Sequence, residues 1–173
     1  MPLLKLVVAF LIAGIALTAH ADWQWTKWGM TPAEVIAASK GDARTASAEE
    51  TKKLSDTIAP AKDALVVAVY EAAGMKFQSV FQFHPSTAKL MCVDLIPSEN
   101  IAYDDMESRL TNVYGVPSRK TNEDIASGLG IFVRQTTWLA TDRIELRQTT
   151  IKNTYGKTRT RYCSRKSDDE KGL

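Results

Sequence analysis

The chain has 173 residues, with 22 lysines and arginines against 20 aspartates and glutamates, for a formal charge of +2. So even a balance argues against nucleic acid as a partner and selects no other charged class. Two cysteines and two histidines leave little material for a metal centre, and nothing in the sequence demands a cofactor.

Residues 1–21, MPLLKLVVAFLIAGIALTAHA, carry Lys5, an apolar run from Leu6 to Leu17 and the ending Ala19-His20-Ala21. That pattern is a secretory signal peptide with an A-x-A cleavage site, which predicts a mature chain starting at Asp22 and a periplasmic or secreted product. The apolar run is short for a bilayer span, which needs roughly 20 residues. No later stretch is long and apolar enough to suggest a transmembrane span in the mature chain, and residues 22–164 fit a single domain.

Three of the four tryptophans follow at once, as Trp23, Trp25 and Trp28. Trp28 stands beside the step into a helix and is expected to lid the helix-to-sheet seam. Trp23 and Trp25 alternate as an extended arm does, which leaves at most one indole facing outward. Thr31-Pro32-Ala33-Glu34 starts that helix with a capping threonine, a proline at the first helical position and a glutamate placed to reach back. Met30 and Val35 have staple spacing, and Gly41 is the expected stop. Ser47-Ala48-Glu49-Glu50 repeats the capping pattern for a second short helix to about Leu54, with Pro60 ending the connection.

From Ala64 the apolar period becomes two, and three strands are predicted: Ala64 to Ala72, Lys76 to His84 and Ala88 to Ile96. In the second, Phe77, Ser79, Phe81 and Phe83 share one face, and Lys76, Gln78, Val80, Gln82 and His84 the other, as in a half-buried antiparallel strand. In the third, Met91, Val93 and Leu95 alternate with Leu90, Cys92 and Asp94. Asp104 is expected to cap a further helix, with Glu107 at capping-box distance, Met106, Leu110 and Val113 on one face, and Gly115-Val116-Pro117 closing it. Ser118 to Gly130 is polar and is expected to be a loop. Strands return at Ile131 to Leu139, Arg143 to Ile151 and Lys157 to Ser164, and the charged tail, 165–173, is expected to be disordered.

These elements predict an α+β fold. Two helix-plus-three-stranded-meander units, about 22–97 and 98–164, would share one antiparallel sheet with the helices on one face.

Trp28-Gly29-Met30-Thr31-Pro32-Ala33-Glu34-Val35 with Gly41, and Leu110-Thr111-Asn112-Val113-Tyr114-Gly115-Val116-Pro117, resemble two signatures of small exported bacterial proteins. These proteins belong to the broad group with folds like the small outer-membrane-assembly lipoproteins and the β-lactamase inhibitory protein. The resemblance implies a binding or assembly role without catalysis. The absence of a lipid-attachment cysteine departs from the lipoprotein members.

Beyond the leader one histidine remains, His84, and no G-x-S-x-G, H-E-x-x-H or P-loop is present. His84 reads as a polar-face or turn residue, and no catalytic or metal-ligating residue is assigned. Asp104-Asp105 is explained by the helix start and Asp168-Asp169-Glu170 by the tail. Cys92 and Cys163 lie too far apart for a zinc or redox motif. In an oxidising compartment a disulfide is favoured over two separate thiols. Each lies in the third strand of its unit, so pairing those strands would bring them together.

The last strands carry the candidate site. Alternation sets Lys157, Arg159 and Arg161 opposite Thr158, Thr160 and Tyr162, and sets Arg143, Glu145 and Arg147 opposite Ile144 and Leu146. The open sheet face would then be basic, with Arg134 and Trp138 alongside. Such a face serves solubility, or it binds an anionic surface, glycan or acidic protein. The expectation is a non-enzymatic exported protein that binds a protein or an anionic envelope component through this face or the 118–130 segment. A glycan or cell-wall hydrolase using paired carboxylates and an inhibitor of a secreted enzyme are the alternatives. Oligomeric state is left open.

Overall fold

Both N-terminal helices begin as their sequences direct. The computed structural model describes residues 23–55, 65–126, 128–152, 154–156 and 158–165; the segment 1–21 expected to be a signal peptide, the connection around Pro60, Lys157 and the segment from 166 expected to be disordered lie outside these. Helix α1 (Pro32–Ala38) has a complete capping box: Glu34 N–H donates to Thr31 Oγ1, and Thr31 N–H donates to Glu34 Oε2 at 2.7 Å. It ends before Gly41, because Ser39 Oγ accepts the N–H groups of Gly41 and Ala43 and turns the chain early. Helix α2 (Ala48–Ser55) uses the same device, with Glu50 N–H donating to Ser47 Oγ and Ser47 N–H to Glu50 Oε2.

Between them lies strand β1 (Ala43–Thr45), too short to register as a period in the sequence. Strands β2 (Val66–Ala72), β3 (Met75–Phe83) and β4 (Leu90–Pro97) then form a meander, with α3 (Tyr103–Tyr114) after them. The chain continues through β5 (Arg119–Ala126), β6 (Ile131–Leu139), β7 (Arg143–Ile151), β8 (Thr154–Tyr155) and β9 (Arg159–Cys163). All pairings are antiparallel in one sheet ordered β1-β2-β3-β4-β9-β7-β6-β5, with β8 against β7. Since β6 covers one edge of β7, β8 and β9 both lie along the other. The strand expected at Lys157 to Ser164 is β9, and β8 is a further short piece before it that was not expected.

The main core fills one face of the sheet. Val66 and Ala68 of β2, Phe77 and Phe81 of β3, Val93 and Leu95 of β4, Ile144 and Leu146 of β7 and Trp138 of β6 meet Val35 of α1 and Tyr103, Met106 and Leu110 of α3. The tryptophan arm closes this core: Trp23 is buried edge-on against Tyr70 and Phe81, and Trp25 lies over Phe81. Trp28 is half-buried and hydrogen-bonds across the molecule to Asp142.

Three expectations are corrected here. The helices do not share one face, because Leu54 of α2 packs with Val67, Val80 and Ile96 on the opposite side. One leucine contributes about 2 kcal/mol of burial, which holds α2 to that face. Asp104 does not cap α3, whose N-cap is Ala102 without a side-chain bond, and Glu107 turns sideways to Thr136 and Lys120. The apolar seam of α3 continues from Leu110 to Tyr114, leaving Val113 71% exposed, since a 3.6-residue turn carries the seam one position further on. Third, Ser118 to Gly130 is mostly strand. At the sheet edge β5 is exposed along almost its whole length, so no apolar alternation marks it.

Candidate binding face

The pairing of β4 with β9 and of β9 with β7 orders the side chains of the second face into rows. Cys92 stands opposite Cys163 and Cys163 opposite Arg143. In the next row Asp94 faces Arg161, and Arg161 faces Glu145. In the third, Arg159 faces Arg147. Cys92 and Cys163 form a disulfide with a Cα–Cα distance of 4.1 Å, which cross-links the paired strands β4 and β9.

Asp94 organises this face. It interrupts the apolar run Leu90–Ile96 on a central strand and is fully buried. Arg161 donates to both of its oxygens, at 2.8 and 3.0 Å, Arg159 approaches one of them at 3.4 Å, and Gln82 donates from the other side. The consequences for the two arginines differ: burial pulls the Arg159 guanidinium down, with Arg161 and Arg147 adding repulsion against the attraction of Asp94. Burial acts on Arg161 too, but its direct hydrogen bonds to Asp94 outweigh it and raise its value.

Four of the expected binding residues, Arg143, Arg147, Arg159 and Arg161, therefore do share one face. Their exposure is another matter. Arg159 is 8% exposed and Arg161 half-buried, both tied to Asp94, while Arg143 pairs with Glu145 at 3.1 Å. Arg147 is half-buried on β7 directly across from Arg159. Lys157 lies outside the described residues. Trp138 and Arg134 are not alongside, because even-numbered positions of β6 point to the helix side. Trp138 is buried and donates its indole N–H to Gly115 O, and Arg134 pairs with Asp104 and lies 4.2 Å over the Tyr103 ring.

Asp94 is the site residue the sequence reading left unassigned. Its signal was a lone carboxylate inside an apolar run, which a central strand tolerates only when partners wait in the neighbouring strand.

Two cavities lie elsewhere. One of about 340 Å³ sits beside the start of α3, lined by Tyr103, Asp104, Arg134 and Gln148. There Tyr103 O–H donates to Thr136 Oγ1, Thr136 bonds Glu107, and Lys120 lies 3.1 Å from the same carboxylate. Burial pushes Tyr103 up to about 12. Burial also works to raise Glu107, but its bonds to Thr136 and Lys120 hold it below the usual carboxylate value.

The other cavity, about 290 Å³, holds Asp42 and Glu50 with Arg44. Arg44 donates to both oxygens of Glu50 at 2.7 Å, and with the Ser47 N–H this lowers Glu50 to about 2.

His84 occupies the turn after β3, its ring nitrogen 2.9 Å from Ser86 Oγ. No group of metal-ligating side chains occurs among the described residues, and no described helix is long and apolar enough to cross a membrane. Compared with family models, curated proteins and solved structures, the chain finds no match.

Proposed function

We propose that this chain is an exported, non-enzymatic binding protein whose β7–β9 sheet face receives an anionic group of a protein or envelope component. The carrying observation is the placement of Arg147 directly opposite Arg159, with Arg161 one row away. Like charges facing each other across a ladder are destabilising, and an anion seated over them removes that cost. Across β4, β9 and β7 four guanidiniums stand against two carboxylates, Asp94 and Glu145, so the face keeps a positive excess.

Export is supported by the leader-like residues 1–21 and by the Cys92–Cys163 disulfide, which is at home in an oxidising compartment. The resemblance of the two capped-helix stretches to small exported binding and assembly proteins points the same way, as does the two-unit reading of meanders joined at β4 and β9. A carboxylate-pair hydrolase fits the Asp42–Glu50 cavity poorly, because Arg44 holds Glu50 ionised and a general acid needs the opposite shift.

The test is capture from an envelope fraction by immobilised protein. Arg147→Glu reverses a half-buried charge without touching Asp94 and should abolish salt-sensitive capture, whereas Lys120→Glu on the far side should not. Undiminished capture by Arg147→Glu would remove this face from consideration.

A further inference from the structure

The sheet ends differently at its two edges. Strand β1 is three residues long and lies against α1, whereas β5 is eight residues long and pairs only with β6 among the described residues. An unpaired edge presents a row of backbone donors and acceptors, and a strand that must stay alone is blunted with charges, proline, brevity or a bulge; the bulge in β5 falls between Asp124 and Ala126, beyond the regular stretch 119–124. Strand β5 reverses sign along its length: Arg119 and Lys120 open it, Glu123 and Asp124 close it, and Thr121 and Asn122 lie between. Antiparallel pairing inverts direction, so this pattern is complementary to itself.

We infer that two copies of this chain pair edge to edge through β5, antiparallel, with Thr121 facing Thr121. A two-fold axis normal to the sheet brings side chains of the same face together, so opposed positions have the same parity. In this register Arg119 of each copy meets Glu123 of the other on the arginine-bearing face, and Lys120 meets Asn122 on the helix side. No like charges oppose each other. Arg119 and Glu123 are 72% and 57% exposed and only 3.9 Å apart within one chain, a loose pair that can exchange partners.

The same register addresses two exposed apolar residues. Val116 precedes β5 and Ile125 lies near its end, and they are 89% and 54% exposed. Antiparallel pairing brings the Ile125 end of one copy near the Val116 end of the other, so both exposed apolar residues lie at the ends of the shared ladder.

Sedimentation velocity of the disulfide-intact protein, over concentrations up to roughly 0.2 mM to reach weak complexes, reads the dimer. Arg119→Glu sets Glu against Glu twice, and Glu123→Arg sets Arg against Arg twice; each should weaken dimerisation at least about tenfold. Both positions are exposed, so circular dichroism should stay native.

An equimolar mixture of the two variants restores both ion pairs and should re-form a dimer carrying one chain of each. A monomeric wild type throughout, dimers persisting in both variants, or a mixture no more associated than its components each overturns the inference. Arg147→Glu, on a different strand, should leave the dimer intact, so this result and the ligand-capture result are independent.

Discussion

The indole N–H of Trp28 donates to Asp142 Oδ1 at 2.9 Å, joining residues 114 positions apart. The bond fastens the N-terminal arm to the turn between β6 and β7. Trp28→Phe keeps the ring packing and removes the donor. A hydrogen bond to a charged acceptor contributes about 1.5–3 kcal/mol, and half-burial places this one at the lower end. The expected result is a lower urea midpoint with an unchanged slope. Asp142→Ala should cost no more in the Trp28→Phe background than the residual it costs without this bond, which a double-mutant cycle measures.

Asp94→Ala removes the shared partner of Arg159 and Arg161 while both remain in a buried row. Breaking a buried ion pair from one side costs about 3–5 kcal/mol, so this should be among the most damaging single changes in the protein. Replacing Asp94 by Leu together with Arg159 and Arg161 by Met should recover most of the loss, as judged by thermal and denaturant unfolding. If Asp94→Ala unfolds like wild type, the triad contributes nothing to stability.

Cys92 and Cys163 close a loop of 71 residues. Releasing it returns chain entropy to the unfolded state, and Cys92→Ala with Cys163→Ala should lower stability by about 4 kcal/mol. The β4–β9 ladder around the pair should persist, so the far-ultraviolet dichroism of the folded variant should match wild type. Alkylation of the unreduced wild type should label no thiol.

Stability should fall at both pH extremes for identifiable reasons. Glu50 titrates at about 2 in the folded chain because Arg44 and the Ser47 N–H favour its ionised form, and Glu34 is lowered by the Thr31 backbone and hydroxyl. A depressed folded-state value means stability present above the ordinary carboxylate range and lost as pH falls through the folded one. The acid decline should therefore extend towards pH 2, and Glu50→Gln should flatten its lower part.

At the other end Tyr103 is raised to about 12 by burial, and Tyr162 is raised by burial and by Tyr114. Raised values mean stability intact below pH 10 and lost as the unfolded chain ionises first, from about pH 10 upward. Tyr103→Phe should reduce that alkaline slope, read as the urea midpoint across pH 9 to 12.

Local signals proved legible wherever a single turn or strand carried its own instructions. Thr31, Pro32 and Glu34 write the start of α1, Ser47 and Glu50 that of α2, and the alternation from Val66 to Leu95 the first meander. Capping and period are properties of a few adjacent residues, and they survive into the fold because nothing distant competes with them.

Beta5 escaped for the opposite reason: at an edge, with both faces wet, RKTNEDIA has no apolar side to display. Asp104 has the chemistry of a cap but lies inside the first turn, because α3 starts at Tyr103 after Ala102 and accepts an uncapped start.

By itself the sequence determined the α+β class, the starts of α1 and α2, most strands and the alternation that puts Arg143, Arg147, Arg159 and Arg161 on common faces of their strands. Only the tertiary structure decided what those arginines meet. The register that sets Cys92 against Cys163 also sets Asp94 against Arg161 and Arg147 against Arg159, and removes Trp138 to the core on the other side. Register is a relation between strands far apart in the chain, fixed by the packing of both faces at once. No local pattern contains it.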